Sequence, residues 1–289
     1  MIKGETFAEI YKGLRSKMLC APFVSPRGKL TKELLFQSIE LTNPRSRIMF
    51  HEKRKYNIAF NCAEFIEMVN GSNSVQNLHF FNKNIAAFSD DGSTFHGAYG
   101  PRVAKWLPKI VEKLKSDKDS RQAVLNIYEA HDGLCDVTKD VPCTLSLQYL
   151  VRNDKLYAFT SMRSNDLFWG LQYDLFNFTM IQELLANEIG IDVGSYYHVA
   201  GSLHVYEEFF EMLDVIEEFE PLVMEPYDIT LAKAFSIWQY MQLCVHSVFK
   251  DFKKPDGDGG DLLIDIFRQY WLKKYKQRYG LNGIYGKFL

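Results

Sequence analysis

The sequence predicts a protein of the α/β (α+β) class, and three observations carry that expectation. Apolar residues at helical spacing alternate along the chain with shorter runs of strand-like alternation. Turn residues such as Asn70-Gly71 and Asn153-Asp154 punctuate the boundaries between these segments. With 289 residues, 47% hydrophobic and 15% aromatic, the chain is long enough to bury a full core.

Residues 6–18 place Phe7, Ile10, Tyr11, Leu14 and Met18 on one helical stripe, and 34–41 alternates as a strand. A helix over 61–69 carries Glu64 and stops at Asn70-Gly71, two residues that tolerate left-handed backbone. A helix over 102–114 and a strand over 123–128 follow. Two strands then flank the turn at Asn153-Asp154, with Cys143 just before the first, and the second (156–163) delivering Arg163 and Ser164 at its end. Residues 172–189 have the pattern of a buried helix with Asp174 in its first turn, and 196–206 reads as a strand. The remainder reads as long helices over 206–219, 230–249 and 262–279, and no internal repeat is visible.

A formal net charge of −2 argues against a whole-protein grip on nucleic acid or an anionic membrane, so anion binding is expected to be local. Five scattered cysteines suggest neither a disulfide framework nor a zinc ribbon, and the chain is expected to be cytoplasmic and reduced. No signal peptide is apparent at Met1-Ile2-Lys3-Gly4-Glu5, and no segment approaches the roughly 20 apolar residues of a membrane span. The run from Lys253 to Asp261 spaces two aspartates like a calcium loop. Gly260, Asp261 and Phe267 nevertheless stand where such a loop needs a ligand, its turn glycine and a bidentate glutamate. That run reads as a flexible linker, and no metal site is expected. Basic residues Arg268, Lys273, Lys274, Lys276 and Arg278 interleave with Tyr270, Trp271, Tyr275 and Tyr279, a pattern that reads as a solvated face above a core stripe.

The chemistry-bearing residues fall in a fixed order: Asp119-Ser120-Arg121, Pro142-Cys143, Arg163-Ser164-Asn165-Asp166, Asp174, then His204-Val205-Tyr206. In order and approximate spacing this set resembles the thymidylate synthase family, most closely its (deoxy)cytidylate 5-hydroxymethylase branch. The specific part runs from about 119 to 206. A weaker correspondence reaches back to Arg27, and nothing after about 210 matches the family pattern. The resemblance implies a thymidylate synthase-like mixed sheet with surrounding helices in a catalytic domain over 1–217. Residues 218–289 would form a helical carboxyl-terminal extension packed on it. It also implies a homodimer built on the sheet face.

Enzymes of that family activate the unreactive C5 of a pyrimidine by adding a cysteine thiolate to C6, and Cys143 is the matching nucleophile. Arg163 and Ser164 match the groups that bind the nucleotide phosphate, and Arg121 the arginine that reaches in from the other subunit; a planar guanidinium suits phosphate because it donates two parallel hydrogen bonds. Arg27, in Ser25-Pro26-Arg27-Gly28, resembles the mobile phosphate loop. Gln122 departs from the pattern, standing where a second arginine is usual. Glu64 resembles the glutamate that orders water and relays protons, and Tyr99 the tyrosine near the catalytic cysteine. His204 and Tyr206 point to one strand face and resemble the sugar-binding pair. Asp166 resembles the carboxylate that holds the pterin of 5,10-methylenetetrahydrofolate.

Asp174 bears on the substrate. Thymidylate synthases place an asparagine there to read uracil, whereas a carboxylate accepts from the N4 amino group of cytosine, so the sequence favours CMP or dCMP over uridylate. The family's synthases carry tryptophans and a histidine where this chain has Ile85-Ala86-Ala87-Phe88 and Thr144, and exclude water to deliver hydride. These departures favour hydration, and hence a folate-dependent transfer of a hydroxymethyl group to C5. A C5-methyltransferase and a non-catalytic nucleotide-binding homologue stay open as alternatives.

Overall fold

A computed structural model describes residues 1–134, 137–246 and 261–274. The linker expected at 253–260 and the helical residues expected at 247–249 and 275–279 lie outside the described residues, as does Cys135.

The elements begin with β1 (Ile2–Gly4), α1 (Phe7–Leu19), β2 (Phe23–Val24), β3 (Thr31–Leu41) and β4 (Ile48–Phe50). Helices α2 (Ile58–Val69), α3 (Val75–Phe81), α4 (Gly100–Val103) and α5 (Leu107–Ser116) follow. Then come β5 (Val124–Asn126), β6 (Thr144–Arg152), β7 (Lys155–Asp166), α6 (Gly170–Ile189) and β8 (Asp192–Tyr206). The described chain closes with α7 (Phe210–Val215), β9 (Glu220–Leu222), α8 (Leu231–Val245) and α9 (Leu262–Lys274). Among the described residues no helix is long and apolar enough to cross a membrane.

The chain divides into two compact units that interleave in sequence. The first comprises Met1–Arg54, Lys105–Asp136 and Pro142–Ile229; the second comprises Lys55–Ala104, Val137–Val141 and Thr230–Leu289.

The first unit is built on a seven-stranded mixed sheet of order β1-β3-β8-β7-β6-β5, with β2 also on β3. The α/β class expected from the sequence is thus observed. The β6–β7 pair is a two-residue hairpin, because Asn153 (φ 51°) and Asp154 (φ 52°) both adopt the left-handed conformation that such a turn requires. By contrast β7 and β8 run parallel, and their crossover is α6, which Gly190 (φ 85°) terminates in a left-handed cap. Helix α1 opens with a capping box, in which Glu9 N–H donates to Thr6 Oγ1 (3.2 Å) and Thr6 N–H to the Glu9 carboxylate (3.3 Å). It buries the predicted stripe of Phe7, Ile10, Tyr11, Leu14 and Met18. One side of β7 buries Leu156, Ala158, Thr160 and Met162; the other leaves Tyr157, Phe159 and Ser161 half-buried, with Phe159 stacked on Tyr197 at 4.8 Å.

Three expectations differ, the first being the single helix expected over 102–114, which is instead α4 and α5 separated by a 3-10 turn at Ala104–Trp106. Residues 206–219 do not form one long helix: a short turn leads into α7, which stops at Val215, and β9 then pairs with β4. Arg15 takes the Leu213 and Asp214 carbonyls (2.7 and 2.9 Å), and the residue before Pro221 is driven out of helical backbone, so continuation is blocked. In addition α6 starts at Gly170, so Asp174 lies a turn inside the helix and not in its first turn.

The second unit is helical, with α2 packed on α3, α4, α8 and α9. Asn57 caps α2 by accepting from Phe60 N–H (3.0 Å). Glu67, buried on α2, accepts from Asn77 Nδ2 (2.9 Å) and Trp238 Nε1 (2.8 Å), and burial pushes its carboxyl up against those bonds. Phe80, Phe81, Phe267 and Tyr270 form a ring cluster between α3 and α9, and Tyr270 donates to the Phe81 carbonyl (2.8 Å).

Candidate active site

Strand register builds the core of the site. Thr144 opens β6 opposite Met162, so the preceding residue, Cys143, falls opposite Arg163, whose N–H donates to the Cys143 carbonyl at 2.9 Å. The Arg163 side chain then folds back: Nε donates to the Pro142 carbonyl (2.9 Å) and Nη2 reaches Cys143 Sγ at 3.6 Å. A guanidinium against sulfur favours the thiolate, the nucleophilic form. The buried Cys62 and Cys244 are the opposite case, because burial pushes both thiols up, that of Cys244 to about 12.

The parallel β7–β8 ladder supplies the next residues, pairing Ser164 with Ser202, Asn165 with Leu203 and Asp166 with His204. His204 and Tyr206 share a face as predicted, their rings edge-to-face at 5.0 Å. Burial raises the Tyr206 hydroxyl, reinforced by the charges of Asp166 and Cys143 and opposed by Arg27, which places all four within electrostatic reach. Arg27 itself sits at a left-handed turn (φ 53°). Burial pushes His204 down, while Asp166 pulls the other way.

Asp166 has structural work of its own. Its two carboxylate oxygens accept from Phe168 N–H (2.9 Å) and Trp169 N–H (3.1 Å), closing the turn into α6. Beyond it Phe168 stacks on Phe209 at 4.6 Å, with Trp169 edge-on to both rings.

One turn into α6, half-buried Asp174 accepts from Asn165 Nδ2 through Oδ2 at 2.7 Å. Burial, with the nearby charge of Asp166 adding to it, pushes the Asp174 carboxyl up to about 7 in spite of that bond. A Cβ on Gly170 would come within 3.3 Å of Asn165 Nδ2 and 3.7 Å of Asp174 Oδ2, so glycine leaves the pair its space. Asn165 is a residue the sequence reading passed over, because it fills the variable position of the Arg163-Ser164-x-Asp166 motif. The available signal was strand period two, which turns its side chain away from its neighbours' face toward the helix carrying Asp174.

Cys143, Arg163, Asp166, Asp174, His204 and Tyr206 are therefore gathered at one end of β6, β7 and β8, and Ser164 lies on the same ladder. Arg121 stands apart, exposed on the segment before β5 at the sheet edge, where its carbonyl accepts from Gln148 Nε2 (3.1 Å). Gln122 lines a recess of about 370 Å³ with Trp106, Lys109 and Lys113 that contains none of the candidate site residues. Glu64 and Tyr99 belong to the second unit, Glu64 half-buried on α2 and Tyr99 immediately before α4.

The sequence model of the thymidylate synthase family matches residues 31–245. The chain belongs to the thymidylate synthase family. That match runs through α8, correcting the expectation that nothing after about 210 fits the family. The chain is 40% identical over 200 residues to the deoxyuridylate hydroxymethyltransferase of Bacillus phage SP01, covering 63% of this chain and 52% of that protein. It is 36% identical over 172 residues to the enzyme of that name from Pseudomonas phage M6, covering 57% and 49%. Across 283 residues it is 29% identical to that of Delftia phage PhiW-14, covering 91% and 79%. The chain thus spans about half the length of the first two relatives. These thymidylate synthase relatives are named for deoxyuridylate, which corrects the placement beside the cytidylate hydroxymethylases.

Proposed function

We propose that this chain transfers a hydroxymethyl group to C5 of a pyrimidine nucleoside monophosphate, with deoxyuridylate as its substrate. The observation that carries the reading is the Cys143 sulfur held against the Arg163 guanidinium beside His204, Tyr206 and Asp166. The names of the three phage relatives support the product and the base.

In this reading Cys143 Sγ adds to C6 and the electron pair moves to C5, which becomes the nucleophile. 5,10-Methylenetetrahydrofolate supplies a one-carbon unit at the oxidation level of formaldehyde. The overall balance is nucleotide plus methylene donor plus water, giving 5-hydroxymethyl nucleotide plus tetrahydrofolate. The residues present fit a folate: a half-buried carboxylate at Asp166 beside the aromatic surface of Trp169 suits a flat ring bearing N–H donors. Arg163, Ser164 and Arg27 would hold the phosphate, and His204 with Tyr206 the sugar hydroxyl. Glu64 would keep the water-ordering role that the family resemblance implies, and Tyr99 the role of the family's tyrosine. The half-exposed sheet face of Tyr157, Phe159 and Tyr197 would form a homodimer across which Arg121 reaches the neighbouring phosphate.

A second reading, cytidylate as substrate, is favoured by one observation, the carboxyl group at Asp174. Purified protein incubated with methylenetetrahydrofolate and, separately, dUMP, dCMP or CMP decides the matter by product mass. A gain of CH2O on dUMP is expected; a gain of CH2 marks a methyltransferase, and reaction of the cytidine nucleotides alone replaces the first reading with the second.

A further inference from the structure

We infer that Arg54, a buried arginine outside the motifs of the sequence, is a positioning residue for the folate: it fixes the turn after β7 and with it the indole of Trp169. The inference deepens the proposed function and rests on its reading of Asp166 and Trp169 as the folate end of the site.

A tight turn delivers the side chain. Just after β4, Arg54 N–H donates to the His51 carbonyl (3.0 Å) and Lys53 N–H to His51 Nδ1 (3.1 Å), while the His51 ring lies edge-on to Phe219 at 5.6 Å. Arg54 is only 2% exposed, and its Nη2 donates to the Phe168 carbonyl. The guanidinium carbon lies 5.4 Å from the centre of the Phe168 ring and 5.1 Å from that of Trp169. A planar guanidinium rests on an aromatic face and donates in its own plane at once, which a lysine ammonium cannot match. The turn is thus gripped from both sides: the Asp166 carboxylate takes the N–H groups of Phe168 and Trp169, and Arg54 takes the carbonyl between them.

Stability alone gives no reason for a cation here. An apolar side chain of similar volume would pack against the two rings without the cost of burying a charge. The consequence of the ion lies in what it holds. Phe168 is 1% exposed and stacked on Phe209, whereas Trp169 is half-buried, so one ring of the pair anchors and the other keeps surface beside Asp166. Tyr11, whose hydroxyl burial pushes up to about 12, feels Arg54 and Asp166 with opposite sign, which puts the cation and the carboxylate around one buried phenol. Arg54 therefore acts on the indole by direct contact and on Asp166 through the shared turn. The nucleotide end of the site is set differently, because strand register places Cys143, Arg163 and His204.

The test is steady-state kinetics of Arg54→Lys and Arg54→Gln, with dUMP and methylenetetrahydrofolate varied in turn. Lysine keeps the charge without the planar fork, and glutamine keeps an in-plane N–H donor without the charge. Each variant should raise KM for the folate by roughly tenfold and leave KM for dUMP within about twofold of the wild type, since a charge-assisted hydrogen bond or a stacked cation is worth up to about a decade. In a Trp169→Ala background the same substitutions should change folate KM by less than about threefold, because the ring they position is gone. A merely structural role would produce neither that split between substrates nor that coupling. Equal changes in both KM values, an unchanged folate KM in folded variants, or independent effects of the Arg54 and Trp169 substitutions overturn the inference. Failure of both Arg54 variants to fold overturns it as well, marking Arg54 as a scaffold residue only. Absence of one-carbon transfer by the wild type to dUMP, dCMP and CMP alike overturns instead the proposed function on which it rests.

Discussion

Replacing Asp174 with asparagine should make the ligand-free protein more stable, and increasingly so as pH rises. The carboxyl is displaced from the usual 3.8 to about 7, chiefly by burial. Each tenfold change in acidity is worth about 1.4 kcal/mol, so an ionised Asp174 costs the folded state up to about 4 kcal/mol. The sign follows from proton counting. Between pH 3.8 and about 7 the folded chain holds a proton that the unfolded chain has lost, so stability falls as pH rises through that window. At pH 5 about a third of the cost is already incurred, and the remaining roughly 3 kcal/mol appears by pH 8.5. An asparagine keeps the hydrogen-bonding contact with Asn165 and carries no such cost. Urea unfolding of both proteins at pH 5 and pH 8.5 measures the difference. The advantage of Asp174→Asn should widen with pH, by up to about 3 kcal/mol. A constant difference, or one that narrows, refutes the reasoning that this carboxyl is held as an acid by its surroundings.

Other outcomes are equally specific. Cys143→Ser should abolish release of tritium from C5 of labelled dUMP while leaving nucleotide binding in place, and retained exchange would remove the covalent step from the mechanism. Arg163→Gln should slow iodoacetamide labelling of Cys143 at neutral pH by about tenfold, since a charge-assisted contact is worth about 1.5 kcal/mol, with exposed Cys20 as the internal standard in the same peptide map. His198, buried with its Nδ1 3.0 Å from the Tyr196 hydroxyl, is pushed down to about 4. The folded chain therefore binds fewer protons than the unfolded one between about 4 and 6.5, and stability is lost as pH falls through that window; His198→Gln should flatten the decline by up to about 3 kcal/mol in acid titrations of unfolding. Asp154→Gly should stabilise the β6–β7 hairpin by roughly 0.5 kcal/mol, because the left-handed turn favours glycine and the exposed pair with Lys118 that it loses contributes little.

The legible part of the fold was whatever rests on local periodicity. The apolar pattern of 172–189 anticipated α6 within two residues, and Asn153-Asp154 marked its hairpin because both residues accept positive φ. The order of the motifs also placed Cys143 and Arg163 at adjacent strand ends, where register joins them. What escaped depends on partners distant in sequence. The β4–β9 pairing and the Arg15 contacts that end α7 involve segments far apart in the chain, invisible to any window. Asp174 illustrates the deeper limit. Its identity was plain, but its charge was read from the free amino acid, whereas its protonation is decided by Asn165, Asp166 and the burial around them.

The parallel run of β7 beside β8 has a consequence for how the protein comes into being. No short turn can join those strands, so Asp166 meets His204 only after the intervening twenty-residue helix has been made and folded back across the sheet. A nascent chain that has exposed its thiol at 143 still lacks the far wall of the site. Competence to engage a nucleotide should therefore switch on late, as the last strand of the cluster docks, making ligand capture a reporter of finished synthesis.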